Sequence, residues 1–280
     1  MSETMTRAAA ADVEAVLNYT VRTGTKPVNE TYGPDGLMRR KTGEMRAERC
    51  LIHDGRPLIG KLRLDVHGFE LVPHPTHISD FFDKDQLTTI YYPECEALIK
   101  ACSGAARVHI FDHTLRAADE ATRERRRVRE PVKAVHNDYT EWSGPQRVRD
   151  LFPAEADELL KHRFAIIQVW RAINAPIETD PLAVADARSL DAKDFIAAER
   201  RHPDRVGEIY QFEYNPDNRW YYFPRMRRDE ALMFKVYDSA KDGRARWSAH
   251  SAFDDPNTRP NAPPRESIEI RAFAFFAERS

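Results

Sequence analysis

The chain has no apolar run approaching the roughly 18 residues of a membrane-spanning helix, which argues against an integral membrane protein built on helices. Cysteine is scarce: Cys50, Cys95 and Cys102 show no CxxC or CxxxC spacing, so a disulfide framework and a thiolate zinc site are not expected. Glycine, at 11 in 280 residues, forms no phosphate-cradling loop. Neither sign of charge dominates: 43 basic residues face 45 acidic ones for a net of −2, which implies no strong field for nucleic acid or a membrane surface. The basic run Arg123–Arg129 is flanked by Asp119, Glu120 and Glu130, and reads as a solvated helix or loop. Residues Met1–Ala8 lack the basic-then-apolar layout of a secretory leader, so the cytoplasm is the expected compartment.

What is present is a globular composition, 41% hydrophobic and 31% charged, long enough to bury a sizeable core. Turn residues cluster at Gly33–Gly36. Arg46–His53 and Gly60–Val66, separated by Asp54-Gly55, read as a hairpin, with Phe69–Pro73 continuing it. Residues 78–104 read as helical, ended by Ser103-Gly104. Beyond residue 107 strand signals recur at Val108–Leu115, Arg163–Ala172, Leu182–Arg188, Glu208–Tyr214, Arg219–Phe223, Ala231–Tyr237, Arg246–Phe253 and Ser267–Phe276. The charged stretch Ala197–Arg201, followed by Pro203, reads instead as a helix end or turn, with His202 on the surface. The expected fold is mainly β with flanking helices, a closed or sandwiched antiparallel sheet rather than alternating βαβ units. The expected organisation is a single domain over 1–280, with an N-terminal extension (1–106) packed on the core (107–280).

The chemistry-bearing stretch is Ala134–Thr140, a strand-like run holding His136-Asn137-Asp138. Residues i and i+2 of a strand share a face, so an imidazole and a carboxylate can serve one metal ion. By residue frequencies alone about 1.6 His-x-acid pairs are expected in this chain; there are two, the other being His202-Pro203-Asp204. A second histidine would complete the 2-His-1-carboxylate set that leaves sites open on non-heme Fe(II). His250 is the candidate, with His113 as its alternative. Fifteen residues after His250 comes Arg265-Glu266-Ser267, an Arg-x-Ser pair suited to the far carboxylate of a dicarboxylic acid. Trp170 and Trp220 read as core. For a substrate pocket, the candidates are Arg171, which otherwise pairs with Asp180 or Asp186, together with Tyr139, Trp220 and Tyr222.

In the order His-x-Asp, His, Arg-x-Ser, the chain resembles the Fe(II)/2-oxoglutarate-dependent oxygenases, and more narrowly the CmcJ/AsaB-like family of hydroxylase/desaturases and cephem-methoxylation components. The resemblance is carried by Tyr91–Glu94, Phe111–Arg116, Val135–Thr140, Val169–Ile173, Pro181–Ala183, Arg219–Pro224, Tyr237–Ser239, His250–Pro256 and Pro264–Arg271. It implies a double-stranded β-helix (jelly-roll, cupin-like) core that holds Fe(II) through His136, Asp138 and His250. It further implies 2-oxoglutarate bound by Arg265 with Ser267, or by Arg271 on the same strand face, and O2 as co-reactant. The implied activity is hydroxylation or desaturation of a small molecule in secondary metabolism, with release of succinate. Two other readings keep the metal-binding residues without that chemistry: a jelly-roll accessory protein to a partner such as a methyltransferase, and a cupin-type isomerase or hydrolase.

Overall fold

Alternation of apolar and polar residues writes the outer strands, whereas unbroken apolar runs write the central ones. Along Val13–Thr20 buried and exposed positions alternate; along Phe164–Ala172 every residue is buried. The second pattern belongs to a strand covered on both faces. The protein is described here by a computed structural model that covers residues 12–32, 38–203 and 205–277; the turn cluster expected at Gly33–Gly36 lies outside them.

In chain order the strands are β1 (Val13–Thr20), β2 (Val28–Tyr32), β3 (Met38–Lys41), β4 (Met45–Asp54) and β5 (Phe69–Pro73). Next come β6 (Arg107–Ala117), β7 (His136–Asn137), β8 (Phe164–Ala172), β9 (Leu182–Ala185) and β10 (Phe195–Arg201). The series ends with β11 (Val206–Phe212), β12 (Trp220–Tyr222), β13 (Glu230–Asp238), β14 (His250–Ala252) and β15 (Glu266–Phe275). They form a ten-stranded sheet ordered β1-β4-β12-β9-β14-β7-β11-β10-β2-β3 and a five-stranded sheet ordered β5-β13-β8-β15-β6. Residues before 107 thus supply strands to both sheets.

Three apolar clusters hold the layers together. Phe164, Ile166 and Trp170 of β8 meet Leu182 and Val184 of β9 between the two sheets. The other side of β8 (Ala165, Ile167, Val169) packs with Cys95, Leu98 and Ile99 of the helix Tyr92–Ser103. Gly104 ends that helix at φ 75°, a left-handed conformation that glycine adopts without penalty. The third cluster, with Leu17, Ile52, Trp220 and Phe253, lies on the far face of the large sheet.

Two local expectations are corrected. Asp54-Gly55 does not turn a hairpin: Pro57 seeds a 3-10 turn over Arg56–Leu58, Gly60 takes φ 81°, and Leu64–His67 is a helical turn. Bonds such as Lys61 N–H to the Leu58 carbonyl keep this stretch coiled, and β5 joins the other sheet. The charged stretch Ala197–Arg201 is strand β10, paired in register with β11 from Phe195 opposite Phe212 to Arg201 opposite Val206. Its ladder bonds outweigh a charge pattern that lacks apolar alternation.

Candidate metal centre

The two histidines meet because β14 lies antiparallel to β7 with His250 directly opposite His136. Residues opposite one another on paired strands point to one face. Their rings lie 4.3 Å apart between centroids. The chain leaves β7 at Asp138, whose Oδ1 stands 3.6 Å from His136 Nε2. One ligand atom from each of His136, Asp138 and His250 falls within 4.8 Å of the others, and all three residues are buried.

Hydrogen bonds fix which atoms face the common point. His136 Nδ1 lies 2.7 Å from the Ala134 carbonyl, and His250 Nδ1 lies 3.1 Å from the Ser248 carbonyl. A carbonyl only accepts, so Nδ1 carries the proton in each ring and Nε2 keeps a lone pair for a metal. On Asp138, Oδ2 accepts from Gln168 Nε2 at 2.6 Å and Arg271 Nε at 2.9 Å, which leaves Oδ1 on the histidine side. Burial, then the neighbouring His250, pushes the His136 pKa down to about 3. Burial works against charge on Asp138 too, but the Arg271 guanidinium and the two imidazoles prevail and hold its carboxyl well below the usual range. Two imidazoles turned by their Nδ1 hydrogen bonds and one carboxylate are the donor set that a divalent first-row metal takes, so the residues fit the ion.

Arg265, the residue before β15, and Ser267, Glu269 and Arg271 on the inner face of β15 stand in a row, and β6 adds Arg116 opposite Ser267. Arg271 is fully engaged: besides Asp138 it reaches Asp112 at 3.2 Å, Thr114 Oγ1 at 2.8 Å and Glu269. Arg265 is not. Its Nε donates to Ser267 Oγ at 3.0 Å and its Nη1 to the Asp180 carbonyl at 2.7 Å, while its guanidinium lies 4.8 Å from the Trp170 ring. Burial, then repulsion from Arg116, lowers its pKa to about 9. Burial likewise takes Arg116 to about 10, and its Nη1 donates to the Glu130 carbonyl. Both guanidiniums remain charged at neutral pH, and neither has a carboxylate in contact among the described residues, although Glu269 acts on both from a distance. Beside them the buried Trp170 Nε1 has no acceptor among the described residues. Several donors without a matching anion suit a dicarboxylate's far end.

The other expected site residues fall in different places. Tyr139 lines the cavity that borders Asp138, and burial pushes its phenol up to about 12. Arg171 stands on the opposite face of β8 from Gln168 and Trp170, donating to the His74 and Arg228 carbonyls with its charge 5.0 Å from the Tyr91 ring. It reaches neither the metal centre nor Asp180 or Asp186. Trp220 and Tyr222 flank Tyr221, which faces the interior opposite Val184; they point the other way into the third cluster, where Trp220 Nε1 donates to Tyr19 Oη at 2.9 Å. Alternation along β8 and β12 is the physical reason for all three corrections. His113 bonds Tyr92 Oη instead of the centre. His202 lines the cavity and is half-buried rather than on the surface. Sequence reasoning did not single out Arg116, Gln168, Glu269 or Arg200. Only the i, i+2 spacing of Thr114-Leu115-Arg116 and Ser267-Ile268-Glu269 signalled that polar residues face inward.

Comparison with known proteins places the chain among described families and structures. A family model described as an oxidoreductase/YMDC permease-like domain matches residues 17–275. The hydroxylase/desaturase CTB9 of Cercospora beticola is 33% identical over 88% of this chain and 81% of its own length. The hydroxylase/desaturase asaB of Aspergillus flavus is 30% identical over 95% and 96%. Among solved structures, the iron and alpha-ketoglutarate-dependent endoperoxidase NvfI superposes with a TM-score of 0.83 at 26% identity, covering 96% of this chain and 99% of that one.

Proposed function

The chain belongs to the oxygenase family of these hydroxylase/desaturases, and from that premise we propose that His136, Asp138 and His250 hold its Fe(II) while Arg265, Ser267 and Arg116 hold 2-oxoglutarate. The protein is an Fe(II)/2-oxoglutarate-dependent oxygenase with a mainly β, jelly-roll core. One observation carries the residue assignment: three donor atoms within 4.8 Å, each imidazole turned by a backbone carbonyl so that Nε2 faces inward.

Bound there, ferrous iron supplies the activation of dioxygen coupled to decarboxylation of 2-oxoglutarate to succinate. The chain's own residues set the conditions. The Gln168 and Arg271 donors pin Asp138 Oδ2, so that Oδ1 is held in one orientation and the carboxylate stays ionised. Arg265 and Ser267 present adjacent donors to the far carboxylate, with Arg116 adding charge and Trp170 Nε1 a further donor. Phe234, whose ring lies 4.8 Å from that of His250, helps to exclude water. The substrate we propose is a small molecule of secondary metabolism. The whole chain serves as one domain, in keeping with residues before 107 contributing to both sheets. The cysteines are free, which accords with a proposed place of work in the reducing cytoplasm. No described helix is long and apolar enough to cross a membrane.

The test is an anaerobic titration with Fe(II) followed by 2-oxoglutarate, read by the weak visible charge-transfer band of the chelate. The band is expected in the unaltered protein and absent in His136→Ala. Iron binding without a band would hand the lead to the accessory-protein reading.

A further inference from the structure

A cavity of about 360 Å³ opens from Asp138 and Tyr139 toward solvent. One wall is a single face of the helix Ser143–Leu151, with Gln146, Arg147 and Asp150, and Trp142 at its start; the other is the β10–β11 hairpin with Arg200, Arg205 and Gly207. The acids that line it already have partners. Asp138 and Asp112 share Arg271, Glu208 takes Lys26 at 2.6 Å and Thr140 Oγ1 at 2.6 Å, and Asp150 accepts from Gln146 at 2.8 Å.

Three of the guanidiniums are not matched in this way. The side chains of Arg147, Arg200 and Arg205 have no hydrogen-bond or ion-pair partner among the described residues, and Arg147 Nε is buried without an acceptor. Burial lowers the Arg200 pKa, Asp138 giving the largest compensating effect and Arg271 and Arg205 opposing it. Arg200 sits across from Gly207, where an added Cβ would meet nothing closer than the Arg200 carbonyl at 3.8 Å, so the space beneath its side chain is open. Apolar surface adjoins the charges: Phe111 lies 5.5 Å from the Arg147 guanidinium, and Tyr139 and Trp142 complete an aromatic rim.

The geometry points to an anionic substrate: a molecule with an apolar or aromatic body and a carboxylate, sulfonate or phenolate group gripped by Arg147, Arg200 and Arg205, its reacting carbon toward the metal centre. This inference rests on the oxygenase reading above. The anion is the substrate's own and not the cosubstrate's, because the donors assigned to 2-oxoglutarate lie along β15 and β6 rather than on the hairpin and helix.

The test uses two fluorescent probes that differ by one charge, 8-anilinonaphthalene-1-sulfonate and neutral N-phenyl-1-naphthylamine, titrated on the full chain, with Trp142 at the mouth as a second reporter. The sulfonate is expected to bind a single saturable site about tenfold more tightly than its neutral twin, roughly one charge-assisted contact, and to weaken with salt. In Arg147→Gln/Arg200→Gln the preference should fall to within about twofold. Gly207→Leu, which fills the cavity and needs no special backbone angle, should weaken both probes. Equal binding of the two probes, or an unchanged preference in the double variant, would overturn the inference. So would an affinity for 2-oxoglutarate that drops as far as that for the sulfonate, because the arginines would then serve the cosubstrate. Succinate formation by the unaltered protein without added substrate checks the oxygenase reading separately.

Discussion

Arg265, just before β15, and Arg271 within it stand on one side of the strand yet differ in what they have left to offer. Arg271 is surrounded by Asp138, Glu269, Asp112 and Thr114, so its charge is spent on the protein. Among the described residues Arg265 has Ser267, a carbonyl and the face of Trp170, and no carboxylate in contact. Arg265→Gln should therefore raise the KM for 2-oxoglutarate at least about tenfold, the worth of one charge-assisted contact, with the metal still bound. Arg271→Gln should instead weaken metal affinity, about 10–100-fold for a lost partner of a ligand, measured by competition with a chelator. The pair of outcomes separates cosubstrate holder from ligand holder. The sequence placed both arginines on one face and named His136, Asp138 and His250, whose ligand atoms the fold brings within 4.8 Å of one another. It did not distinguish free from engaged charge, because besides Glu269 on its own strand the partners of Arg271 come from two other segments, β6 and the chain just after β7. Arg171 misled for a related reason: a buried arginine beside an apolar strand looks alike from either face.

At the scale of elements, the helix Ser143–Leu151 is positioned by a close approach to β13. A Cβ added at Gly144 would lie 2.6 Å from Tyr237 Cδ2, and that ring is itself stacked on Phe164 at 5.1 Å. Gly144→Ala should cost about 1–3 kcal/mol as an overpacking change, read as a lower midpoint in urea, and should shift the cavity wall that carries Arg147. Most strands were legible because their apolar residues alternate or run unbroken. β10 was not, since Glu199, Arg200 and Arg201 gave no apolar period; its position comes from pairing with β11 and β2. The stretch 54–66 failed the other way. Leu62, Leu64 and Val66 have strand spacing, but Pro57 and the positive φ of Gly60 coil the backbone first.

For the whole molecule, the buried centre ties stability to pH and to metal. The His136 pKa in the folded apoprotein, about 3, lies below its unfolded value near 6.5. Between those values the unfolded chain binds the extra proton, so stability is fully present above the unfolded value and is lost as pH falls toward 3. Asp138, also depressed, adds loss in the same direction as pH falls through its folded value. The melting temperature of the apoprotein should thus drop between pH 7.5 and pH 5. Excess Mn(II), a redox-quiet stand-in, should raise it at pH 7.5 by an amount equivalent to about 2.7 kcal/mol at one hundred times Kd. A rise of equal size in His136→Ala would place the ion elsewhere.

The pairing of His250 with His136 through one register position of a three-residue strand also has a kinetic side. β7 and β14 are distant in sequence, so the ligands come together only after long loops have closed, a slow non-local step. An ion that needs both rings has nothing complete to grip before then. Metal present during refolding should leave the folding rate nearly unchanged and slow unfolding instead, the pattern of a contact absent from the transition state. A newly made chain would on this account close its sheets first and acquire its metal last.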